Sequence, residues 1–252
     1  MTRIVGQAGR APVGVGTAVG LVAYSVATNR REQHQGWYVL RNAVTGVGLV
    51  AAARRRGLTW DDLGLAPGGT ARGLRVGRVV SSVVAGAVIA GTAVAGRHRT
   101  GRRLLADRRA GLRPRELAWQ ALVRIPIGTA AFEEVAFRGV LFGLIAARHG
   151  PRVGLLTSSG VFGLWHIGPT LAALRINEVT SGRVRACVSA VALTTTAGLV
   201  LGRLRIAGGH LATPWLAHWT NNAITLVAAA MWQRAAGRAV RDPQVVDPPP
   251  RL

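Results

Sequence analysis

Residues 128–144 read GTAAFEEVAFRGVLFGL, apolar throughout except for Thr129, Glu133, Glu134 and Arg138. A helix this apolar on every side belongs in a core or in a membrane. An acid at the centre of a membrane helix costs about 2.5–3.5 kcal/mol. Two adjacent carboxylates also repel each other if both ionise. Such a pair needs partners. Arg138 stands one helical turn after Glu134, the spacing at which an i, i+4 ion pair forms. That pair alone would be a structural lock within a bundle. It leaves Glu133 unexplained, because its neighbour in sequence points to a different part of the helix surface.

The rest of the chain decides between core and membrane. Apolar runs fall at 11–28, 36–53, 79–96, 117–132, 133–148, 152–170, 185–202 and 211–232. These approach the roughly 20 residues that cross a bilayer. The expected fold is all-α: a polytopic membrane bundle of about six to eight transmembrane helices around an intramembrane polar cavity. Residues 1–240 read as one membrane domain and 241–252 as a disordered, Pro-rich tail. Arg124, Pro126, Glu133, Glu134 and Arg138 interrupt the fourth and fifth runs. Together these two runs predict a bundle-facing helix with a break. The start, MTRIVGQAGR, is basic and precedes an apolar run that is long for a signal peptide, so a retained first span is expected.

Charge sharpens this reading. The formal net charge is +22 although 49% of residues are hydrophobic, a pairing that fits apolar spans joined by basic loops against anionic headgroups. Every basic side chain is Arg and none is Lys, a usage that suits a GC-rich bacterium. The expected location is therefore a bacterial cell membrane. A nucleic-acid partner is disfavoured, because the arginines lie in short connectors and not in one arm or along one helix face. Connectors 54–78 and 97–116 are both strongly basic and both flank the run 79–96, so the positive-inside rule votes for both sides. WDDLGL, at 60–65, predicts an interfacial turn with Trp60 at headgroup level. Cys187 stands alone, excludes an internal disulfide and reads as a small core residue.

Histidines divide in the same way. His34, His98, His149 and His210 sit at segment edges beside Gly or Arg and are expected to be solvated. His166 and His218 instead close the apolar stretches SSGVFGLWHIG and ATPWLAHWTNN. Asn222 follows His218 by one turn and shares its face, while Asn221 points elsewhere. Each of these taken singly reads as a core imidazole or an interhelical hydrogen bond. Together they form a hydrolytic set. Glu133 can take a proton from water and an imidazole can share that task. A His N–H and an Asn amide can stabilise an oxyanion. The alternative for the same atoms is a zinc ion held by Glu133, His166 and His218 with one position open. The chain has no H-E-x-x-H motif, so a metal would need ligands from separate helices.

Three spacings stand in order along the chain: E-E-x-x-x-R at Glu133–Arg138, F-x-x-x-H at Phe162–His166 and H-x-x-x-N at His218–Asn222. In this the chain resembles the CPBP family (Abi-type), which includes the Rce1-like CAAX prenyl endopeptidases. The resemblance covers residues 116–232, and DLGL at 62–65 is similar to a loop of many members. It implies an intramembrane endopeptidase acting on membrane-associated proteins or peptides. By that resemblance Glu133 activates water with help from His166, His218 and Asn222 form the oxyanion site, and Glu134 and Arg138 support them. The family has been described both as glutamate-dependent and as metallo-endopeptidases. The reading favoured here has no metal or a weakly required zinc. Two other classes compete: a catalytically inactive membrane scaffold of the same fold, and a proton- or ion-coupled transporter. The transporter predicts matched broken helices in two halves, whereas the polar residues here are confined to the second half.

Overall fold

The computed structural model describes residues 11–29 and 35–237. The basic start, Glu32, His34 and the Pro-rich tail lie outside the described residues. Among those described, the chain is helix and turn with no strand. The order is α1 (Ala11–Thr28), α2 (Gln35–Arg55), α3 (Trp60–Leu63), α4 (Thr70–Ala95), α5 (Arg99–Leu105) and α6 (Pro114–Trp119). Two π-helical segments follow, π1 (Gln120–Ala131) and π2 (Glu134–Leu141). Then come α7 (Phe142–His149), α8 (Pro151–Trp165), α9 (Ile167–Ile176), α10 (Arg183–Gly208) and α11 (Ala212–Ala235).

Polarity runs opposite to that of a water-soluble domain. Val47, Val83, Leu122, Leu156, Val188 and Leu193 are exposed, while Asn42, Glu133, Glu134, Arg138, Ser159 and His218 are buried. Water would penalise both halves of that distribution and lipid would reward them. Among the described residues, α4 and α10 are each long and apolar enough to cross a bilayer. The protein is an all-helical membrane bundle.

Successive long helices alternate in direction between two ends. At one end the α10–α11 turn meets the α3 connector: the Leu211 N–H donates to the Gly64 carbonyl at 2.8 Å. Arg205 of α10 donates to the carbonyls of Asp61 and Asp62 at 2.8 and 2.9 Å. Gly64 closes α3 with φ of 67°, and a Cβ there would lie 2.5 Å from the Arg205 Nε, so both backbone and space require glycine. At the opposite end Gln233 of α11 donates to the carbonyls of Leu105 and Asp107, each at 2.8 Å. Arg175 reaches the Asn29 carbonyl there at 3.0 Å. The two basic connectors therefore sit at opposite ends of α4. That is the physical source of the conflicting charge votes: whichever way the protein is oriented, a strongly basic loop faces each side. Trp60 is exposed with the Arg54 guanidinium 4.7 Å from its ring centre, as suits an interfacial position.

The break expected between 117–132 and 133–148 is absent. Phe132 and Glu133 keep helical dihedrals, φ −60°, ψ −48° and φ −67°, ψ −40°, so residues 114–149 form one continuous rod. A wider register takes the place of the break. In a π-helix each N–H bonds to the carbonyl five residues earlier, so Pro126, with no N–H, deprives the Ala121 carbonyl of its partner. The indole N–H of Trp219 on α11 fills that place at 2.7 Å. Trp215, stacked on Trp219, donates to the Pro126 carbonyl at 2.9 Å. A Trp219→Phe variant keeps the ring and orphans the carbonyl. It is expected to lose about 1–3 kcal/mol, read as a lower unfolding midpoint in detergent, with the fold intact.

The rod is where the expected segments fuse, and 152–170 is where one divides. His166 adopts φ −75°, ψ −4°, which ends α8 and begins α9. His210 also departs from expectation. It is buried, not solvated, with Nδ1 accepting the Ala212 N–H at 3.0 Å and Nε2 3.3 Å from the Thr70 hydroxyl. His98 and His149 are exposed as expected.

Asp107 organises the end opposite α3. Burial pushes its carboxyl up, but the hydrogen bonds from Arg109 and Asn177 and the Arg109 charge together outweigh burial and hold it below the ordinary value. A depressed carboxylate contributes stability that is present above about pH 4 and is lost as pH falls through the lower folded value. The unfolding midpoint of wild type should exceed that of Asp107→Asn near neutrality. The gap should close on acidification below pH 4.

Candidate active site

The polar residues of the rod meet those of α8 and α11 in one buried cluster. Glu133 and Glu134, adjacent in sequence, are held by different partners. Glu134 Oε1 accepts from Arg138 Nη1 at 3.1 Å and from His218 Nδ1 at 2.7 Å. Glu133 Oε1 accepts the indole N–H of Trp165 at 3.1 Å. Its other oxygen, Oε2, is buried without a hydrogen-bond partner and lies 3.7 Å from His218 Nε2. His218 thus stands between the two carboxylates, one nitrogen toward each.

Phe162 is the hub of this arrangement. Its ring centre lies 4.0 Å from the Arg138 guanidinium, 4.5 Å from the His166 ring and 6.1 Å from the His218 ring. A cation over an aromatic face gains without needing a second carboxylate, which helps Arg138 remain buried with one nitrogen, Nη2, unbonded. His166 hangs from the same helix, its Nδ1 2.8 Å from the Phe162 carbonyl. A carbonyl only accepts, so Nδ1 carries that hydrogen and the neutral ring presents Nε2 as a base. The same logic applies to His218: an ionised Glu134 only accepts, so Nδ1 is the donor.

Of the residues singled out in the sequence, Glu133, Glu134, Arg138, His166 and His218 converge. Asn222 does not hydrogen-bond to them. It is half-buried on α11, one turn from His218, and accepts from Asn221 at 3.1 Å. Sequence reasoning passed over Trp165, which holds the Glu133 carboxylate. Its signal was available: an indole N–H inside an apolar helix needs an acceptor. Among the described residues, no three His, Cys, Asp or Glu side chains are arranged to hold a metal ion. Glu133, His166 and His218 do not form such a group.

This geometry lies within a stretch that a family comparison covers. Residues 115–224 match the family described as Type II CAAX prenyl endopeptidase Rce1-like. The segment is Rce1-like. It includes Glu133, Glu134, Arg138, Phe162, His166, His218 and Asn222, and thus the whole buried cluster. The match extends over less than half of the chain and leaves α1–α5 outside it. No curated protein and no solved structure matches this chain. The likeness is to a family of CAAX prenyl endopeptidases, and it is a likeness of this segment.

Proposed function

We propose that the protein hydrolyses peptide bonds of membrane-associated substrates, with Glu133 as the base that activates water. The observation that carries this reading is the divided state of the Glu133 carboxylate: one oxygen held by Trp165, the other buried without a protein partner. An acceptor so placed is fixed in direction yet available to a water proton. Glu133 removes that proton as the water oxygen bonds to the scissile carbonyl carbon. His166 Nε2 shares the proton. The carbonyl oxygen becomes an oxyanion. The imidazolium form of His218 donates from both nitrogens, Nδ1 to Glu134 and Nε2 to the oxyanion, and the Asn222 amide adds a second donor. When the intermediate collapses, the C–N bond breaks and the proton passes from Glu133 or His166 to the leaving amine.

Glu134 and Arg138 act at one remove in this scheme, by fixing the orientation of His218. The Arg-only basic usage supports placement in a bacterial cell membrane. The test is peptide-bond cleavage by wild type and by Glu133→Gln at equal abundance in the membrane. Loss of cleavage in the variant is expected, and undiminished cleavage would refute the assignment.

A further inference from the structure

Ser25 of α1 is wholly buried, and its hydroxyl donates to the Trp165 carbonyl at 2.6 Å. That carbonyl stands one residue before His166, where α8 gives way to α9. In an uninterrupted helix it would accept from the N–H four residues on, but residue 169 is Pro and has none. Ser25 supplies a donor from a neighbouring helix, as serines do beside prolines in lipid. Gly168 makes the approach possible: a Cβ there would lie 2.7 Å from the Ser25 Oγ and 2.8 Å from its carbonyl oxygen.

The same helix grips the Trp165 side chain. The Tyr24 ring stacks on the indole, with centres 6.0 Å apart and planes at 15°. Leu21, one turn before Ser25, packs into the buried cluster that holds Phe132, Phe137, Phe162 and Trp165. The indole so held donates to Glu133 Oε1 at 3.1 Å, and the next residue along the chain is His166. One helix thus fixes both the backbone and the ring of the residue that aims the proposed base. That helix lies outside the Rce1-like segment.

We propose that Ser25 is a positioning residue for Glu133 and His166, acting through the Trp165 carbonyl, and that α1 completes the working site. The catalytic consequence rests on the peptidase reading, whereas the hold on Trp165 does not. The test uses the full chain in detergent, labelled with fluorotryptophan. Among the seven tryptophans, the fluorine resonance of Trp165 is identified by its loss in Trp165→Phe. Glu133→Gln should shift it, because the acceptor of the indole N–H loses its charge. Ser25→Ala should shift or broaden it as well, while the resonance of Trp60, near the opposite end of the bundle, stays in place. Adding Pro169→Ala to Ser25→Ala supplies an N–H and should return the Trp165 resonance toward its wild-type position. Gly168→Ala keeps the hydroxyl but crowds α1 away, and should imitate Ser25→Ala. An unmoved Trp165 resonance in Ser25→Ala would overturn the proposal. Movement of Trp60 together with Trp165 would mean general loosening and would overturn it too.

Activity gives the second readout. Glu133-dependent peptide termini in membranes should fall at least about tenfold in Ser25→Ala at equal abundance, since a displacement of about 1 Å made far from the chemistry can cost about 10²-fold. They should recover when Pro169→Ala is added. Undiminished termini would refute the positioning of the base even if the resonance moves. Failure of the peptidase reading looks different: no termini depend on Glu133 in wild type, and the Trp165 resonance alone then decides whether Ser25 holds the indole.

Discussion

Arg138→Met is expected to reduce accumulation of the protein severely. The arginine is fully enclosed, its side chain 2% exposed, and its carboxylate partner, Glu134, is as deeply buried at 1%. Removing one member of such a pair leaves a buried charge uncompensated, which costs about 3–5 kcal/mol. His218 would remain as the sole hydrogen-bonding partner of Glu134. Phe162 would also lose the cation over its face. The measurement is membrane abundance and the unfolding midpoint in detergent. Adding Glu134→Gln to Arg138→Met should recover part of the lost stability, since a neutral amide needs no counter-charge, while activity stays low because Arg138 no longer fixes residue 134 or the Phe162 ring that lies against both histidines. Unchanged accumulation of Arg138→Met would contradict the buried ion pair.

Glu133→Gln should do the reverse: hold stability and remove activity. The amide retains an oxygen that can accept from Trp165, so packing and the unfolding midpoint should change little. The base is lost, and general-base catalysis by a positioned carboxylate is worth about 10²–10⁴ in rate. Glu134→Gln should cost less activity than Glu133→Gln, because an amide oxygen still accepts from His218 Nδ1 and preserves its orientation. Reversal of that order would exchange the roles of the two carboxylates. In the proposed mechanism the neighbouring glutamates take different roles because their partners differ, not because of any difference in burial: both are almost wholly enclosed.

Much of this was legible in the sequence, and the parts that were not have physical reasons. Apolar runs gave the ends of α1, α2 and α11 closely, since a helix in lipid must stop near where its apolar residues stop. The rod at 114–149 was not legible as one element, because Pro126 and the paired acids look like a break. Its continuity depends on tryptophans of α11 bonding to carbonyls far away in sequence. The proximity of Glu133, His166 and His218 followed from the cost of isolated polar groups in lipid. The choice of partner for each carboxylate did not, since it turns on which way each side chain leaves the backbone where α-helical Glu133 passes into π2 at Glu134. Arg124 looked anomalous in an apolar run, and Tyr38, distant in sequence, accounts for how it is held. His210 looked exposed beside two glycines, yet α4 packs closely enough there for a Cβ on Gly73 to meet its Cβ at 2.8 Å.

The scaffold and transporter readings separate from the peptidase reading at one point, whether a peptide bond is cut by a reaction that needs Glu133. The most direct measurement compares peptide termini in membranes from cells carrying wild type or Glu133→Gln at equal abundance. Termini that appear with wild type and vanish with the variant are the predicted result, and they would also name candidate substrates. Termini present equally with both would contradict Glu133 as the catalytic base.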